Sequence, residues 1–377
     1  MKKLLIDAFS TSSGGAISHL RIILKNFPNQ DYFDKADVLI PTYIKVQMPK
    51  IKNVNYICNH FFEKNLILRI FFQIIYLNIK CFFENYSCIF ITGSSHFILK
   101  KPIITINQNL LPFSESEIKK YFFSFFYIKL KLLYLTQALS LKRSQGIIFL
   151  HKYSKKIIIN KIGYLKNLKT IIPHNIDFRF KKSIYKNKKV RLIYVSNIDH
   201  YKNQVFLLKA IDELLEKKPE LKKLLSVEFY GSYYLPALKN FKNYYSSKLI
   251  NKLSFKYMGL KKKSYIYREI NNKDTIFLFA STCENFSVSL IEGMAKGYPI
   301  LCVNSQPMRS VLGNCALFYK NNSIKSFQNQ LLKILFSKRI KKKMSLDSFQ
   351  KSKVYINNDM AKKTYKFLEK VSKFYMQ

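Results

Sequence analysis

The chain has 377 residues and a formal net charge of +43, and 48% of its residues are apolar. That apolar share excludes a disordered polyelectrolyte, and ten glycines with ten prolines exclude a collagen-like or low-complexity chain. Only eight of the 65 cations are arginine, the residue that grips bases and phosphates bidentately, so specific nucleic-acid recognition is not expected.

In chain order, short apolar runs alternate with longer helical patterns. Strands are predicted at 3–9, 36–40, 53–58, 88–93, 102–107, 146–151 and 169–175, then at 190–197, 226–231, 254–259, 275–281, 299–305 and 316–320. Nearly continuous apolar runs of this length read as strands of a parallel sheet covered on both faces. With helices between them the fold class is α/β, doubly wound.

The apolar run before Asp7 is too short for a signal peptide and reads as the first strand. Residues 61–83 and 121–141 are rich in aromatics but carry Arg69 and Lys80, and Lys129 and Lys131, so neither is expected to span a membrane. Each reads either as an amphipathic helix on an anionic membrane surface or as an ordinary core helix. The basic stretch 177–189 is the predicted linker. It divides the chain into domains at 1–180 and 181–355, with a closing helix over 356–377. The six cysteines form no CxxC pair or zinc spacing, which predicts reduced thiols and a cytoplasmic location.

Three motifs carry chemistry. In SSGGAISHL (12–20) a glycine pair between strand and helix lets backbone approach a ligand; Gly15 is the candidate, and a plain tight turn is the alternative. In YVSNIDHYKNQ (194–204) a strand ends at Ser196 and Asn197, and Lys202 lies just before a helix, where a cation would help hold a diphosphate; the alternative is a solvated lysine. Gly259 ends another strand in the position where doubly wound sheets place ligand-binding turns. The strongest motif is CENFSVSLIEGMAKGYPI (283–300). Glu284 sits in a turn, Ser287–Lys296 reads as a helix, and Glu292 lies about two turns further on. Carboxylates here would accept from sugar hydroxyls while the amides of Phe286, Ser287 and Val288 face an anion, and Asn285 beside them is a further donor-binding candidate. The alternative is a capping carboxylate and a routine helical Glu.

Two acids separated by seven residues in this context resemble the signature of retaining glycosyltransferases with the GT-B fold, family 4 or glycosyl transferases group 1. NQNLLPF (107–113) and IIPHNIDFRF (171–180) resemble turns of bacterial O-antigen and capsule transferases. The resemblance implies two Rossmann-like domains facing across a cleft, with a C-terminal helix crossing back. It implies an acceptor-binding N-terminal domain and a C-terminal domain that binds a nucleotide-diphosphate-sugar. Glu284 would contact donor-sugar hydroxyls, Glu292 the ribose and Lys202 the diphosphate. Gly15 would admit the diphosphate or acceptor, and Gln108 and Asn109 would lie near the reacting sugar.

The family's usual Arg is matched by Asn197 and its usual His by Gln108; His151, His174 and Arg309 are candidates for compensation. No cofactor and no metal are expected, because basic residues and helix dipoles would stabilise the leaving diphosphate. The implied acceptor is a glycan or lipid-linked glycan at the inner face of the cytoplasmic membrane, as in O-antigen, lipooligosaccharide or capsule synthesis. The rival readings are a nucleotide-sugar epimerase or phosphorylase-type enzyme of the same fold and a basic nucleic-acid-binding protein. The first would carry more acids and histidines, and the second would carry clustered arginine or an aromatic RNP-like strand.

Overall fold

The computed structural model describes residues 2–11, 14–27, 31–63, 68, 71–93, 95–100, 102–176, 189–247, 254–269, 274–356 and 359–376. The chain divides into two compact units, Met1–Asp177 with Asn358–Gln377, and Phe178–Asn357. The predicted linker 177–189, apart from Lys189, lies outside the described residues.

In the first unit, β1 (Lys3–Asp7), β2 (Lys35–Leu39), β3 (Val54–Ile57), β4 (Tyr86–Ile91), β5 (Ile103–Asn107), β6 (Gly146–Phe149) and β7 (Leu168–Ile171) form one sheet in the order β3-β2-β1-β4-β5-β6-β7. Every neighbouring pair is parallel. Its central strands are apolar on both faces, with Leu5, Ile89, Ile104 and Ile147 all buried. Burying each such side chain contributes about 1.5–3 kcal/mol relative to leaving it exposed.

The C-terminal helix Met360–Met376 belongs to this unit. The Tyr365 hydroxyl donates to the Ile23 carbonyl at 2.8 Å and Ser372 Oγ to the Ser87 carbonyl at 2.8 Å. Gly146 permits this docking, because a Cβ there would stand 2.8 Å from Val371 Cγ2.

The second unit repeats the plan with β8 (Val190–Val195), β9 (Leu225–Tyr230), β10 (Ser254–Tyr257), β11 (Asp274–Phe279), β12 (Ile300–Val303) and β13 (Ala316–Tyr319), ordered β10-β9-β8-β11-β12-β13 and again parallel throughout. Strand order reverses between β8 and β11. In an open α/β sheet, ligands bind outside the carboxyl ends of the strands at such a reversal.

Each predicted apolar run overlaps a strand, so the structure has the expected α/β, doubly wound architecture in two Rossmann-like units. Most strands stop one to four residues before the run ends, because the trailing residues leave the ladder to form the loops at the carboxyl edge. Helix boundaries differ as well, and the closing helix expected over 356–377 spans Met360–Met376. Gly14 and Gly15 open the helix Gly14–Lys25 instead of forming a turn ahead of it, and the helix expected over Ser287–Lys296 spans Val288–Ala295.

One glycine sets the shape of that edge in the second unit. Gly231, just after β9, has φ +146°, and a Cβ on it would lie 2.2 Å from the Ser196 carbonyl oxygen at the end of β8. Both the dihedral and the backbone clash exclude a side chain. Gly231→Ala is expected to lower unfolding stability by at least about 1–3 kcal/mol, read as a lower urea midpoint at unchanged m-value.

Candidate functional site

The carboxyl edge of the second sheet gathers most of the predicted residues. Along β10, β9 and β8, the Gly231 amide donates to the Gly259 carbonyl at 2.9 Å and the Ser196 amide to the Tyr230 carbonyl at 2.8 Å. Gly259 itself has φ +65°, which its lack of a side chain allows. Asn197 closes the loop after β8. Its Oδ1 accepts from Ser232 Oγ at 2.8 Å, and its carbonyl accepts from Gln204 Nε2 at 2.7 Å. Asn197 therefore braces this loop with neutral hydrogen bonds where the resemblance would place a cation.

The next turn, His200–Lys202, is capped by Asp199, whose Oδ1 accepts from the His200 amide at 2.8 Å. It is tied across to the loop after β11: the Thr282 amide and hydroxyl both donate to the Tyr201 carbonyl, at 2.9 and 3.1 Å. This cross-link sets Lys202 against Glu284. Lys202 Nζ lies 2.5 Å from Glu284 Oε1, with both side chains largely buried and the ammonium 4.7 Å from the Tyr201 ring centroid. Desolvation pulls the Lys202 pKa down, but the Glu284 carboxylate and the Tyr201 and Tyr194 phenols outweigh it and hold it above the usual lysine value. The site thus holds the Lys202 ammonium against the Glu284 carboxyl group at the strand-order reversal.

Glu292 is more deeply placed, with its side chain 2% exposed on the helix Val288–Ala295. Lys263 Nζ contacts its Oε1 at 2.5 Å and the Tyr267 hydroxyl donates to its Oε2 at 3.0 Å. Burial, and then Glu292 itself, push the Tyr267 phenol well above its ordinary value, so it remains a donor.

Sequence reasoning missed both partners. Lys263 and Tyr267 are four residues apart on the helix Lys263–Glu269, and that spacing, which puts them on one face, was the signal available.

The other predicted residues of this unit take varied positions. Asn285 is buried, and the Phe286 ring packs edge-on against Tyr355 with centroids 5.5 Å apart. Ser287 caps the helix, with its Oγ 3.2 Å from Ser289 Oγ, and Val288 is the first helical residue. Of the candidate anion-facing amides, Val288 alone therefore lies in the first helical turn, where amides lack intrahelical acceptors. Arg309 stacks on Phe318, 4.2 Å from the ring centroid.

Gly15, Gln108 and Asn109 belong to the first unit. Gly15 lies in the first turn of Gly14–Lys25. Gln108 follows β5 and donates from Nε2 to the Thr92 carbonyl at 3.2 Å, while Asn109 Oδ1 accepts from the Leu111 amide at 3.0 Å. Two histidines are engaged structurally here: His151 Nδ1 accepts from the Tyr153 amide at 3.0 Å, and His174 Nδ1 meets His19 Nδ1 at 2.9 Å. Among the described residues, no group of three or more His, Cys, Asp or Glu is arranged to hold a metal ion.

Comparison with known proteins identifies the architecture. Residues 175–350 match the family model for glycosyl transferases group 1. No curated protein matches the chain by sequence. Among solved structures, the chain is similar to sucrose-phosphate synthase from Thermosynechococcus elongatus (TM-score 0.74, 10% identity, 100% of both chains covered). It is similar to Anabaena Alr3699/HepE in complex with UDP and glucose (TM-score 0.72, 15% identity, 98% of this chain and 99% of that chain). It is also similar to the apo form of the lipopolysaccharide outer core galactosyltransferase WaaB (TM-score 0.64, 12% identity, 100% of both chains). With a glycosyl transferases group 1 match over residues 175–350 and this two-unit architecture, the chain is a glycosyltransferase of the GT-B fold.

Proposed function

We propose that the enzyme is a retaining glycosyltransferase that moves a sugar from a nucleotide-diphosphate-sugar to a hydroxyl of a lipid-linked surface-glycan intermediate, working at a membrane face. Under this reading residues 181–355 hold the donor and residues 1–180 the acceptor. The observation that carries it is the Lys202–Glu284 pair at the strand-order reversal of the second sheet. Similar proteins solved with UDP or UDP-glucose, such as Anabaena Alr3699/HepE, support a nucleotide-sugar as the donor class.

The chemistry then follows from this unit's own residues. Lys202 swings its ammonium from Glu284 to the donor diphosphate, while Glu284, released, accepts from hydroxyls of the transferred sugar. The Val288 amide and the helix dipole behind it add partial positive charge at the same anion. As the glycosidic bond breaks, negative charge accumulates on the leaving diphosphate, and the cation already moved there on donor binding stabilises the transition state. Glu292, paired with Lys263 and oriented by Tyr267, accepts from the ribose hydroxyls. In the first unit, Gln108 and Asn109 stand near the reacting sugar and Gly15 lets a ligand approach backbone. Retention rests on the resemblance of the Glu284–Glu292 spacing to that of retaining enzymes.

A nucleotide-release screen over UDP-, GDP- and dTDP-sugars tests this directly: one donor class should turn over, with transfer to acceptor of unchanged anomeric configuration. Loss of a hydrogen bond to a charged group is worth about 1.5–3 kcal/mol, so Glu284→Gln should lose at least about tenfold in kcat/KM. Lys202→Ala should weaken nucleotide-diphosphate binding by a similar factor in calorimetric titration. Full activity in Glu284→Gln, or unchanged affinity in Lys202→Ala, would overturn the assignment.

Lys263→Met is expected to act differently. Because Lys263 reaches the donor only through Glu292, the variant should raise donor KM by about tenfold or more and leave kcat nearly constant, with Lys263→Arg recovering part of the loss. A fall in kcat at constant KM would place Lys263 in the chemical step instead.

A further inference from the structure

The first unit presents a helix whose polarity is inverted. Phe125–Arg143 turns Gln137 and Ser140 inward, with Leu130 and Leu141 its only buried apolar residues. Ser140 Oγ accepts from the His96 amide at 2.9 Å, so the segment after β4 meets the inward hydroxyl. Outward point Phe125, Ile128, Leu132, Leu135 and Leu139, all more than half exposed. Their spacings of three and four residues put them on one stripe. Just ahead of the helix, Phe122 is also exposed and Phe123 is 98% exposed.

A second stripe lies beside it. The π-helical stretch Phe72–Tyr76 and the helix Leu77–Phe83 expose Ile75, Ile79, Phe82 and Phe83. The segment 95–99 binds both helices. Ser95 Oγ is 3.3 Å from Thr136 Oγ1 on one, while on the other Asn78 Nδ2 donates to the Phe97 carbonyl at 3.1 Å and Asn78 Oδ1 accepts from the Leu99 amide at 2.8 Å. Leu99, between them, is itself 76% exposed. The segment 95–99 thus ties the two helices into one unit, and the run Phe122, Phe123, Phe125, Ile128, Leu132, Leu135 and Leu139 alone exposes seven large apolar side chains, more than the singly scattered exposed residues of a soluble monomer.

Charge selects the occupant. Neither Phe125–Arg143 nor Phe72–Phe83 contains an Asp or Glu, whereas the first carries Lys129, Lys131, Lys142 and Arg143. Lys129 and Lys131 are both exposed, and their ammonium groups lie 5.8 and 5.6 Å from the Phe126 and Tyr127 ring centroids, so the stems run along the aromatic side chains. A second copy on this face would oppose cations with cations. A layer of anionic headgroups over hydrocarbon complements both features, and among the described residues no helix is long and apolar enough to cross a membrane.

We infer that this surface docks the enzyme in the plane of an anionic phospholipid bilayer, with Phe122, Phe123 and the Phe125–Leu139 stripe in the acyl boundary and Lys129, Lys131 and Arg143 at the phosphates. The surface deepens the membrane part of the proposed function and rests on that reading, but it uses none of the donor chemistry.

Vesicle co-sedimentation of the full chain, without donor or acceptor, tests it. Phosphatidylcholine vesicles containing 30% phosphatidylglycerol should bind the chain, and pure phosphatidylcholine should bind it at least about tenfold less. The variant Phe123→Ser/Ile128→Ser/Leu132→Ser should lose about tenfold or more in partition to the anionic vesicles. Its melting temperature and nucleotide release in solution should be unchanged, because the three side chains are exposed. Lys129→Glu/Lys131→Glu, an independent variant, should abolish the preference for anionic lipid.

No partition of the wild type, equal partition to both vesicles, or unchanged partition of both variants overturns the inference. A wild-type dimer that the triple variant converts to monomer, with no vesicle binding, assigns the face to a second copy instead. Vesicle binding that follows these expectations while every nucleotide-sugar fails to turn over would leave the surface standing and remove the donor reading.

Discussion

A carboxylate taken out of water keeps its charge only where a cation or several donors meet it, and that requirement organises the second unit. Glu284 and Glu292 stand eight positions apart in one segment, and each is met by a lysine from a different crossover. Lys202 comes from the loop after β8 and Lys263 from the helix that follows β10. The two ion pairs therefore link three separate segments of the second unit. The chain holds 65 cations and 22 acids, so a partner for any acid is easy to supply. What is hard to supply is a fixed direction, and the parallel strands provide it by delivering every loop to the same edge.

The strands were legible because they are buried on both faces, which leaves a run of apolar residues that no other element of this length produces. Their carboxyl ends were less legible. In a run such as 169–175 the strand ends at Ile171, yet Ile172 just beyond it is β-branched and buried, so composition does not mark the stop. The Lys202 and Glu284 loops were readable because each follows a strand and precedes a helix. Their contact was not, since it depends on Thr282 bonding to the Tyr201 carbonyl, a register of two loops that one-dimensional spacing does not carry. Lys263 was hidden for a second reason. It sits in a run of three lysines, and nothing in the run marks which of them faces a carboxylate 29 residues away.

The roles of Gln108 and Asn109 were inferred from likeness of motif, and the structure gives each a local task as well. Asn109 turns its side chain onto the Leu111 amide and Gln108 reaches the Thr92 carbonyl, so both shape the loop that follows β5. Loop residues with two duties are common where binding groups ride on a rigid sheet. An effect of replacing either one has to be separated into loop geometry and the proposed contact with the sugar.

The charge of the chain divides between two physical uses. In the second unit particular lysines are matched to particular carboxylates, and the surrounding protein neutralises them. On the first unit's helix Phe125–Arg143 the cations run beside an exposed apolar stripe with no acid of the same helix to answer them. Coding bias toward lysine and aromatic residues accounts for their number, because it acts on every position alike. It does not account for Gln137 and Ser140 facing inward while Phe125, Leu132 and Leu139 face outward. A helix that buries hydroxyl and amide groups and exposes leucine at three- and four-residue intervals forgoes the burial that normally stabilises a surface helix. That loss is recovered only when an apolar medium covers the stripe, and the flanking lysines select a medium whose boundary is negative.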